Sequence, residues 1–261
     1  MTFYRDRVYP HLVTMLGNPE PIRKIRERLV PLAEGNVLEI GVGPGANLVH
    51  YATTRVSKVY ALEPNRGMIR HAERQCRRTS LDVEFLDLPA ERIPLADGTV
   101  DTVVSTFTLC TIRGVAEAIR EMGRVLKPGG QLIFFELGLS PDPRVQRWQE
   151  RTESFFKWAF EGCHVTRDIP SLIGKGGFTI ERMETAYLSS FPKSGSYAFW
   201  GVARPEAVNE RQDRSGNSAR WPVVGHSLQA LQADTRDMGL GLAVRGSGPS
   251  NRCWETALPD I

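Results

Sequence analysis

The chain has 261 residues, of which 41% are hydrophobic and 24% are charged, and its formal net charge is +3 at pH 7. This length suffices for one sizeable α/β core with appendages, while the small net charge excludes the strongly basic surface that is typical of nucleic-acid-binding proteins. No apolar run approaches the roughly 18 to 20 residues of a membrane-spanning helix, and the start lacks the pattern of a signal peptide. The sequence therefore predicts a soluble, cytoplasmic protein.

The four cysteines stand at positions 76, 110, 163 and 253, far apart along the chain. Their spacing matches neither a zinc site nor a redox pair, so the sequence predicts no metal ion and favours a reducing compartment. The oligomeric state leaves no signature in the sequence.

Residues 1–34 are predicted to form a helical region before the main domain. Apolar side chains between Phe3 and Leu16 fall near one stripe of an amphipathic helix. We expect this helix to pack on the core; the alternatives are a lid over a ligand pocket and a shallow contact with a membrane surface. A second, arginine-rich helix over Ile22 to Leu32 leads into the first strand.

A glycine-rich turn follows this strand. The apolar run reaches an acid at Glu39 and continues into Gly41, Gly43 and Gly45, which predicts a tight turn that opens a helix carrying residues 47–52. Glycines at such a turn let a ligand lie against the backbone. The turn fits the dinucleotide fingerprint, whereas an acid two residues before the first glycine suits the cationic amino-acid end of S-adenosylmethionine.

The second predicted strand, Lys58 to Glu63, ends in a carboxylate. Doubly wound sheets bind ligands at the carboxyl ends of their strands, and an acid about 20 residues after the glycines is placed to hold ribose hydroxyls. The same acid is expected in nicotinamide-dependent enzymes, so Glu63 indicates a nucleoside ligand without identifying it. Pro64 and Asn65 then turn the chain into a helix over residues 66–77.

Strands and helices alternate through the rest of the central region. Strands are predicted at 83–86, 101–106 and 131–136, with a helix over 114–125 and a turn at 127–130. An aromatic helix over 144–160 precedes two further strands near 179–187 and 196–203. From residue 206 to residue 261 the periodicity fades and glycine, serine and arginine dominate, which predicts a disordered tail.

Three segments in this order resemble a known family. The stretches "VLEIGVGPG", "ERIPLADGTVDTVV" and "RVLKPGG" are similar to the motifs of the class I S-adenosylmethionine-dependent methyltransferases and cover roughly residues 37–136. The later stretch "EGCHVTRDIP" resembles a bacterial small-molecule branch, related to alkyl-thiol S-methyltransferases and more distantly to phospholipid and quinone methyltransferases.

The resemblance implies a fold and an activity. We expect residues 35–205 to form a Rossmann-like, doubly wound, seven-stranded mixed sheet that binds S-adenosylmethionine. The expected reaction is methyl transfer to a small apolar acceptor, with a small thiol as the best candidate. The alternatives are a phospholipid or quinone methyltransferase at the membrane surface, and a nicotinamide-dependent reductase or non-catalytic nucleotide binder.

The resemblance also implies cofactor-binding residues. Glu39 is expected to hold the amino-acid end of the cofactor, Thr106 to bond the same group, and Phe107 to pack beside the sulfonium. The full expected set is Glu39, Gly41, Gly43, Gly45, Glu63, Pro64, Ala90, Glu91, Thr106 and Phe107.

Adenine recognition is expected to differ from that of many relatives. Those relatives carry an aspartate two residues before the position of Glu91, where this chain has Pro89. The adenine amino group is therefore expected to bond backbone near Ala90 and Glu91, or the side chain of Asp87.

A thiol or amine acceptor must lose a proton, so a general base is expected. The candidates are His164, Asp168 and Glu136, with His11 added if the first helix closes over the site. Relatives commonly have a histidine after the acid that ends the fifth strand. This chain has Leu137 there, so that base is missing.

Overall fold

The computed structural model describes residues 9–16, 18–189 and 191–206, and its centre is one seven-stranded sheet. The strands are β1 (Gly35–Ile40), β2 (Val56–Leu62), β3 (Val83–Leu86), β4 (Val100–Thr106), β5 (Leu126–Leu137), β6 (Phe178–Tyr187) and β7 (Tyr197–Pro205). Their order is β3-β2-β1-β4-β5-β7-β6, with β7 antiparallel to both neighbours and the first five strands parallel. This arrangement confirms the predicted doubly wound mixed sheet.

The described helices are α1 (Tyr9–Leu16), α2 (Glu20–Leu29), α3 (Arg66–Cys76), α4 (Val115–Val125), α5 (Pro143–Ala159) and α6 (Ile169–Lys175). The second helix ends three residues before its predicted end and continues as a 3₁₀ turn over Val30–Leu32. Pro31 explains this change, because it has no backbone N–H for the next intrahelical bond. The sequence patterns do not predict α6, which has only seven residues.

Two apolar layers cover the two faces of the sheet. Neighbouring strand residues enter opposite layers, as Val37 and Leu38 do in β1 and Phe134 and Phe135 do in β5. One layer contains side chains of α2 and α3, and the other contains side chains of α4 and α6. Burial on both faces explains why the parallel strands are almost continuously apolar.

The strand at the outer end of this sheet differs from the central strands. Seven of the ten residues of β6 are exposed and one is buried, and β7 is its partner in the described sheet. The pairing of β6 with β7 is irregular between Ile180 and Arg182. Gly201 of β7 approaches β6 closely there, because a Cβ on it would lie 1.9 Å from the Arg182 carbonyl oxygen.

The helix predicted after the glycine turn is not present. Residues 43–50 form consecutive turns instead, with short-range bonds from Leu48 N to Gly45 O (3.2 Å) and from His50 N to Asn47 O (2.8 Å). These are bonds between residues three apart, whereas an α-helix needs bonds between residues four apart. The Asn47 side chain is buried in polar contacts, which hold this segment in its tighter form.

Several predictions for the ends of the chain fall on residues outside those described. They are the apolar stripe from Phe3 to Val8 and nearly all of the tail after Glu206. The described part of α1 packs near α3, with the rings of His11 and His71 4.7 Å apart. His11 therefore contacts α3.

Three of the four cysteines lie in the described part of the chain, and they differ in state. Cys76, in the last turn of α3, is disulfide-bonded, whereas Cys110 and Cys163 are free and buried. Distance along the chain does not limit contact in the folded protein, so wide spacing alone does not predict unpaired thiols.

Candidate active site

The candidate site lies at the carboxyl edge of the parallel strands. Gly41 follows β1, Glu63 follows β2, Phe107 follows β4, and Glu136 is the penultimate residue of β5. The strand order reverses between β1 and β4, and open α/β sheets bind ligands in the crevice at such a switch point. The sheet therefore brings the predicted residues of four strands to one edge.

The three glycines of the turn have different reasons to be glycine. All have left-handed φ angles, +64° at Gly41, +54° at Gly43 and +83° at Gly45. A Cβ on Gly41 would lie 2.5 Å from Thr108 Cγ2, and one on Gly45 would lie 2.9 Å from Ala72 Cα. A Cβ on Gly43 would meet only the Gly41 carbonyl oxygen, 3.9 Å away. Protein packing thus excludes side chains at the first and third positions, and only Gly43 faces open space.

Glu63 is buried and fixes the backbone on both sides of the site. Its Oε2 accepts a hydrogen bond from Gly43 N (3.0 Å), and its Oε1 accepts one from Asn65 N (2.9 Å). Asn65 in turn caps α3 by accepting from Gly67 N and Met68 N, while Pro64 is exposed. These two bonds hold the Glu63 carboxylate between the glycine turn and the start of α3.

Glu39 lies in a buried polar network. Its Oε1 accepts from Asn47 Nδ2 and its Oε2 accepts from the Tyr51 hydroxyl, each at 2.9 Å. Burial raises the pKa of Glu39 to about 7, although the bonds from Tyr51 and Asn47 and the charge of Arg26 act to lower it. This carboxyl therefore changes its charge near neutral pH.

Arg26 of α2 extends this network to the end of β4. Its Nη1 donates to Asn47 Oδ1 and to Thr106 Oγ1, the latter at 3.1 Å, and its guanidinium carbon lies 5.5 Å from the centre of the Phe107 ring. No sequence pattern predicts a role for Arg26, Asn47 or Tyr51. Arg26 is one of several arginines in an amphipathic helix, so no local pattern distinguishes it.

Phe107 has an unusual backbone conformation. Its φ is +55°, which costs free energy for a bulky residue and is often found at functional sites. A bond from Phe107 N to Phe135 O (2.8 Å) and ring packing at 4.5 Å hold it in place. The neighbouring Thr106 is buried and accepts from Arg26 and Asn47.

The residues predicted near adenine lie in the loop before β4. Ala90 is buried, and Glu91 Oε1 accepts a bond from Gly114 N (3.0 Å). This bond ties the loop to the residue that precedes α4. Asp87 is paired with Arg66, whose Nε lies 2.6 Å from Asp87 Oδ2.

Two of the predicted bases, Glu136 and Asp168, accept hydrogen bonds that stabilise the backbone around them. Glu136 is completely buried and accepts from the Ser105 hydroxyl (2.7 Å), Thr108 N (2.9 Å) and Leu109 N (3.0 Å). Burial raises its pKa to about 7, against the effect of these bonds. Asp168 is the N-cap of α6, where it accepts from the amide of the third following residue. Glu136 therefore positions the loop after β4, and Asp168 caps a helix.

His164 has the arrangement expected of a base. Its Nδ1 lies 3.1 Å from Glu153 Oε1, which also accepts from the Thr166 hydroxyl (2.7 Å). Burial and the charge of Arg167 lower the pKa of His164, whereas Glu153 acts to raise it, so the imidazole is neutral at neutral pH. No sequence pattern predicts a role for Glu153, because its contact with His164 depends on how α5 packs.

An apolar cluster adjoins this histidine. It consists of Cys110, Cys163 and Val165, with Phe156 and Phe160 packed against them. A bond from His164 N to Cys110 O (2.8 Å) joins the loop after β4 to the segment after α5. The contact with Cys163 and burial raise the pKa of Cys110, so its thiol stays protonated.

Tyr9, at the start of α1, is buried. Burial raises its pKa, and the nearby Glu161, Cys110, Cys163 and Glu63 act in the same direction. One side chain of the N-terminal helical region is therefore buried within electrostatic range of Cys110, Cys163 and Glu63.

Fold and site together define a nucleoside-binding α/β enzyme of the Rossmann-like class. A glycine turn after β1, an acid after β2 and a strained residue after β4 meet at the switch point. In the described parts of the chain, no group of three or more His, Cys, Asp and Glu side chains could hold a metal ion. No helix there is long and apolar enough to cross a membrane.

Comparisons with known proteins identify the family. Residues 38–134 match the methyltransferase domain family. The chain is 30% identical to human thiol S-methyltransferase TMT1B over 197 residues, 67% of this chain and 77% of that protein. It is 33% identical to the rat TMT1B over 155 residues, which cover 58% of this chain and 63% of the rat protein. The chain belongs to the S-adenosylmethionine-dependent methyltransferase family, and its cofactor is S-adenosylmethionine.

A further relative and a solved structure are also similar to this chain. Demethylmenaquinone methyltransferase of Clavibacter sepedonicus is 29% identical over 133 residues, 51% of this chain and 54% of that protein. The structure of a SAM-dependent methyltransferase from Methanosarcina mazei is 21% identical, with a TM-score of 0.55, and covers 67% of this chain and 93% of that one. This structural match shows a shared fold.

Proposed function

We propose that this enzyme methylates a small apolar thiol. The observation that carries the proposal is the His164–Glu153 pair at the edge of the apolar cluster formed by Cys110, Cys163 and Val165. The relatives named thiol S-methyltransferase support the same acceptor. Because only part of each relative is aligned, the acceptor is a proposal about this chain.

The residues at the carboxyl edge suit S-adenosylmethionine. Open space at Gly43 leaves room for a ligand against the turn. Glu63 is the acid after β2, the position at which Rossmann-like sheets hold ribose hydroxyls. Glu39 provides a carboxylate for the ammonium group of the cofactor. Backbone at Ala90 and Glu91 is our proposed contact for adenine.

The cofactor supplies a methyl group that is already activated by its positive sulfur. The protein must therefore align the acceptor, exclude water and remove the thiol proton. The apolar cluster provides a dry surface for the alkyl part of the acceptor. His164 accepts the thiol proton at Nε2 while its Nδ1 donates to Glu153. The thiolate sulfur would take the methyl group as the methyl–sulfonium bond breaks, which would give the thioether and S-adenosylhomocysteine.

Glu153 is suited to this supporting role. Burial acts to raise its pKa, but the hydrogen bond from the Thr166 hydroxyl, the charge of Lys157 and the hydrogen bond from His164 lower it overall. An ionised carboxylate can only accept, so it fixes the proton on Nδ1 and leaves Nε2 to receive the thiol proton.

The test compares thiols of different acidity. The cysteine thiol has a pKa near 8.5. A simple alkyl thiol is less acidic than cysteine and needs a base at pH 7, whereas the ring of an aromatic thiol stabilises its anion, so that thiol is largely ionised. His164→Ala should lower turnover of alkyl thiols by roughly 100- to 10,000-fold and turnover of the aromatic thiol much less. Asp142→Ala, which removes the N-cap of α5, is the control and should keep the wild-type ratio.

Two results would count against the proposal. An equal loss for both kinds of thiol would show that His164 is not the base. The proposed thiol acceptor would be wrong if the wild-type enzyme methylated quinols or phospholipid amines and did not methylate any thiol.

A lipid-soluble acceptor such as a quinol is the second candidate, and one surface favours it. Trp148, Phe155 and Trp158 of α5 are 59%, 58% and 79% exposed, at spacings that place them on one face of the helix. The guanidinium carbon of Arg151 lies 5.7 Å from the Trp148 ring centre. Exposed aromatic and basic side chains on one helix suit an anionic membrane surface.

This candidate has its own test. The double variant Phe155→Glu and Trp158→Glu should abolish sedimentation with phosphatidylglycerol vesicles and lower quinol turnover in those vesicles at least about tenfold. Met183→Glu alters an exposed apolar residue of β6 and is the control. If the double variant keeps vesicle binding and quinol turnover, this surface has no role in acceptor access. Phe3 and the side chain of Leu12, in the first predicted helix, lie outside the described residues.

A further inference from the structure

Arg26 has an unusual position for an arginine. It is only 6% exposed, and α2 carries it to the end of β4 beside Thr106 and Phe107. It precedes residues 38–134, which match the methyltransferase domain family. The family match therefore assigns it no role.

The charge of Arg26 is incompletely compensated in the described structure. Its Nη1 is bonded to Asn47 and Thr106, but its Nε is buried and has no hydrogen-bond partner among the described residues. The nearest acid in the network, Glu39, is separated from it by the Asn47 side chain, which accepts from Arg26 and donates to Glu39. A buried guanidinium with an unbonded Nε costs folding free energy unless an anion pairs with it.

The burial of Arg26 also favours an anion beside it. Burial lowers the pKa of Arg26 to about 10, although Glu39, Tyr51 and Glu136 act to raise it. The group thus remains charged at neutral pH and lies in a poorly solvated environment, where pairing with a carboxylate is strong.

The two ends of this network have opposite charges. Glu39 provides a carboxylate and Arg26 provides a guanidinium, joined through Asn47. The amino-acid end of S-adenosylmethionine also carries two charges, an ammonium and a carboxylate on one carbon. We propose that Arg26 binds the α-carboxylate of the cofactor through its free Nε edge, opposite the ammonium contact of Glu39.

The inference rests on the cofactor side of the proposed function and is independent of the acceptor. It also gives α2 a role, because a cofactor bound in this way would join α2 to the glycine turn and to β4. If Arg26 only ties α2 to the sheet, its loss should weaken the binding of ligands with and without the carboxylate equally.

The test measures binding of three ligands to the full chain by calorimetry, without an acceptor. They are S-adenosylhomocysteine, its decarboxylated analogue, and methylthioadenosine, which lacks the whole amino-acid end. Wild-type protein should bind S-adenosylhomocysteine roughly 10- to 100-fold more tightly than the decarboxylated analogue.

Substitutions of Arg26 then test whether this residue causes the preference for S-adenosylhomocysteine over its decarboxylated analogue. Arg26→Met should weaken S-adenosylhomocysteine binding roughly 10- to 100-fold and change binding of the decarboxylated analogue less than about twofold. Arg26→Lys should retain part of the preference, because it keeps the charge without the planar fork. Arg23→Met is the control on the same helix, since Arg23 is 44% exposed and paired with Glu27, and it should keep all three affinities.

Defined outcomes would overturn the inference. If Arg26→Met weakens all three ligands equally, Arg26 is a structural tie and does not bind the carboxylate. If Arg26→Met does not fold, the wild-type preference decides, since equal binding of S-adenosylhomocysteine and its decarboxylated analogue excludes a carboxylate contact. If wild-type protein binds none of the three, the cofactor site itself is wrong, whatever the acceptor.

Discussion

Gly43 allows the proposed cofactor contact to be tested with little steric damage to the protein. Its φ is +54°, and a Cβ there would meet only the Gly41 carbonyl oxygen at 3.9 Å. The cost of Gly43→Ala is therefore conformational, about 1 to 2 kcal/mol for a left-handed residue. In a domain of this size each kcal/mol lowers Tm by roughly 2 to 4 °C, so a decrease of about 2 to 8 °C is expected.

Gly129 provides a matched control for this substitution. Its φ is +79°, and a Cβ there would meet no atom within 4 Å, but it lies within the residues that begin β5, away from the carboxyl edge. Gly129→Ala should therefore cost a similar free energy of unfolding. Any difference in ligand binding between the two variants then reports on the space beside the turn.

Calorimetric titration with S-adenosylhomocysteine measures that difference. Gly43→Ala should weaken binding at least about tenfold, because the methyl group enters the space that the ligand needs, and this corresponds to about 1.4 kcal/mol. Gly129→Ala should bind as the wild type does. If the two variants have equal affinity at equal stability, the turn does not contact the cofactor and the proposed site is misplaced.

Three further predictions concern buried acids. Glu63→Ala should weaken S-adenosylhomocysteine binding roughly 10- to 100-fold, and a change under about twofold would exclude a ribose contact. The pKa of Glu39 is about 7 and the ligand's ammonium prefers the ionised form, so affinity should rise with pH up to about 7, a rise that Glu39→Gln should remove. For Glu136, burial raises the pKa from 4.5 to about 7, so the stability contributed by the neutral carboxyl is complete below pH 4.5 and is lost as pH rises through 7. Urea titrations should show the wild type losing unfolding free energy relative to Glu136→Gln over that range, and parallel profiles would contradict the assignment.

The sequence predicts the sheet well because its strands are specified locally. Apolar runs such as those of β1 and β4 end at glycine or polar residues, and their order along the chain restricts the topology. Glu63 is predicted for the same reason, since its place is defined by its distance from the glycines and by the end of a strand. The fold and the backbone of the cofactor site are therefore readable from short segments.

Other features depend on contacts between distant segments. Arg26 meets Thr106 across 80 positions and Asn47 across 21, and Glu153 meets His164 only because α5 packs beside the loop. The glycine-turn pattern predicts a helix after Gly45, but the buried polar contacts of Asn47 hold turns there instead. Tertiary contacts of this kind leave no periodic signal in the sequence.

The exposed outer strand β6 has a consequence for how copies of the protein behave in concentrated solution. A ten-residue strand at a sheet edge offers unpaired backbone groups to other molecules and so invites aggregation. Here Glu181, Arg182 and Glu184 place charges along the exposed strand, and the irregular register beside Arg182 interrupts its straight course. Charges and irregularities of this kind oppose strand addition by another chain, so β6 discourages the edge-to-edge association that its length would otherwise promote.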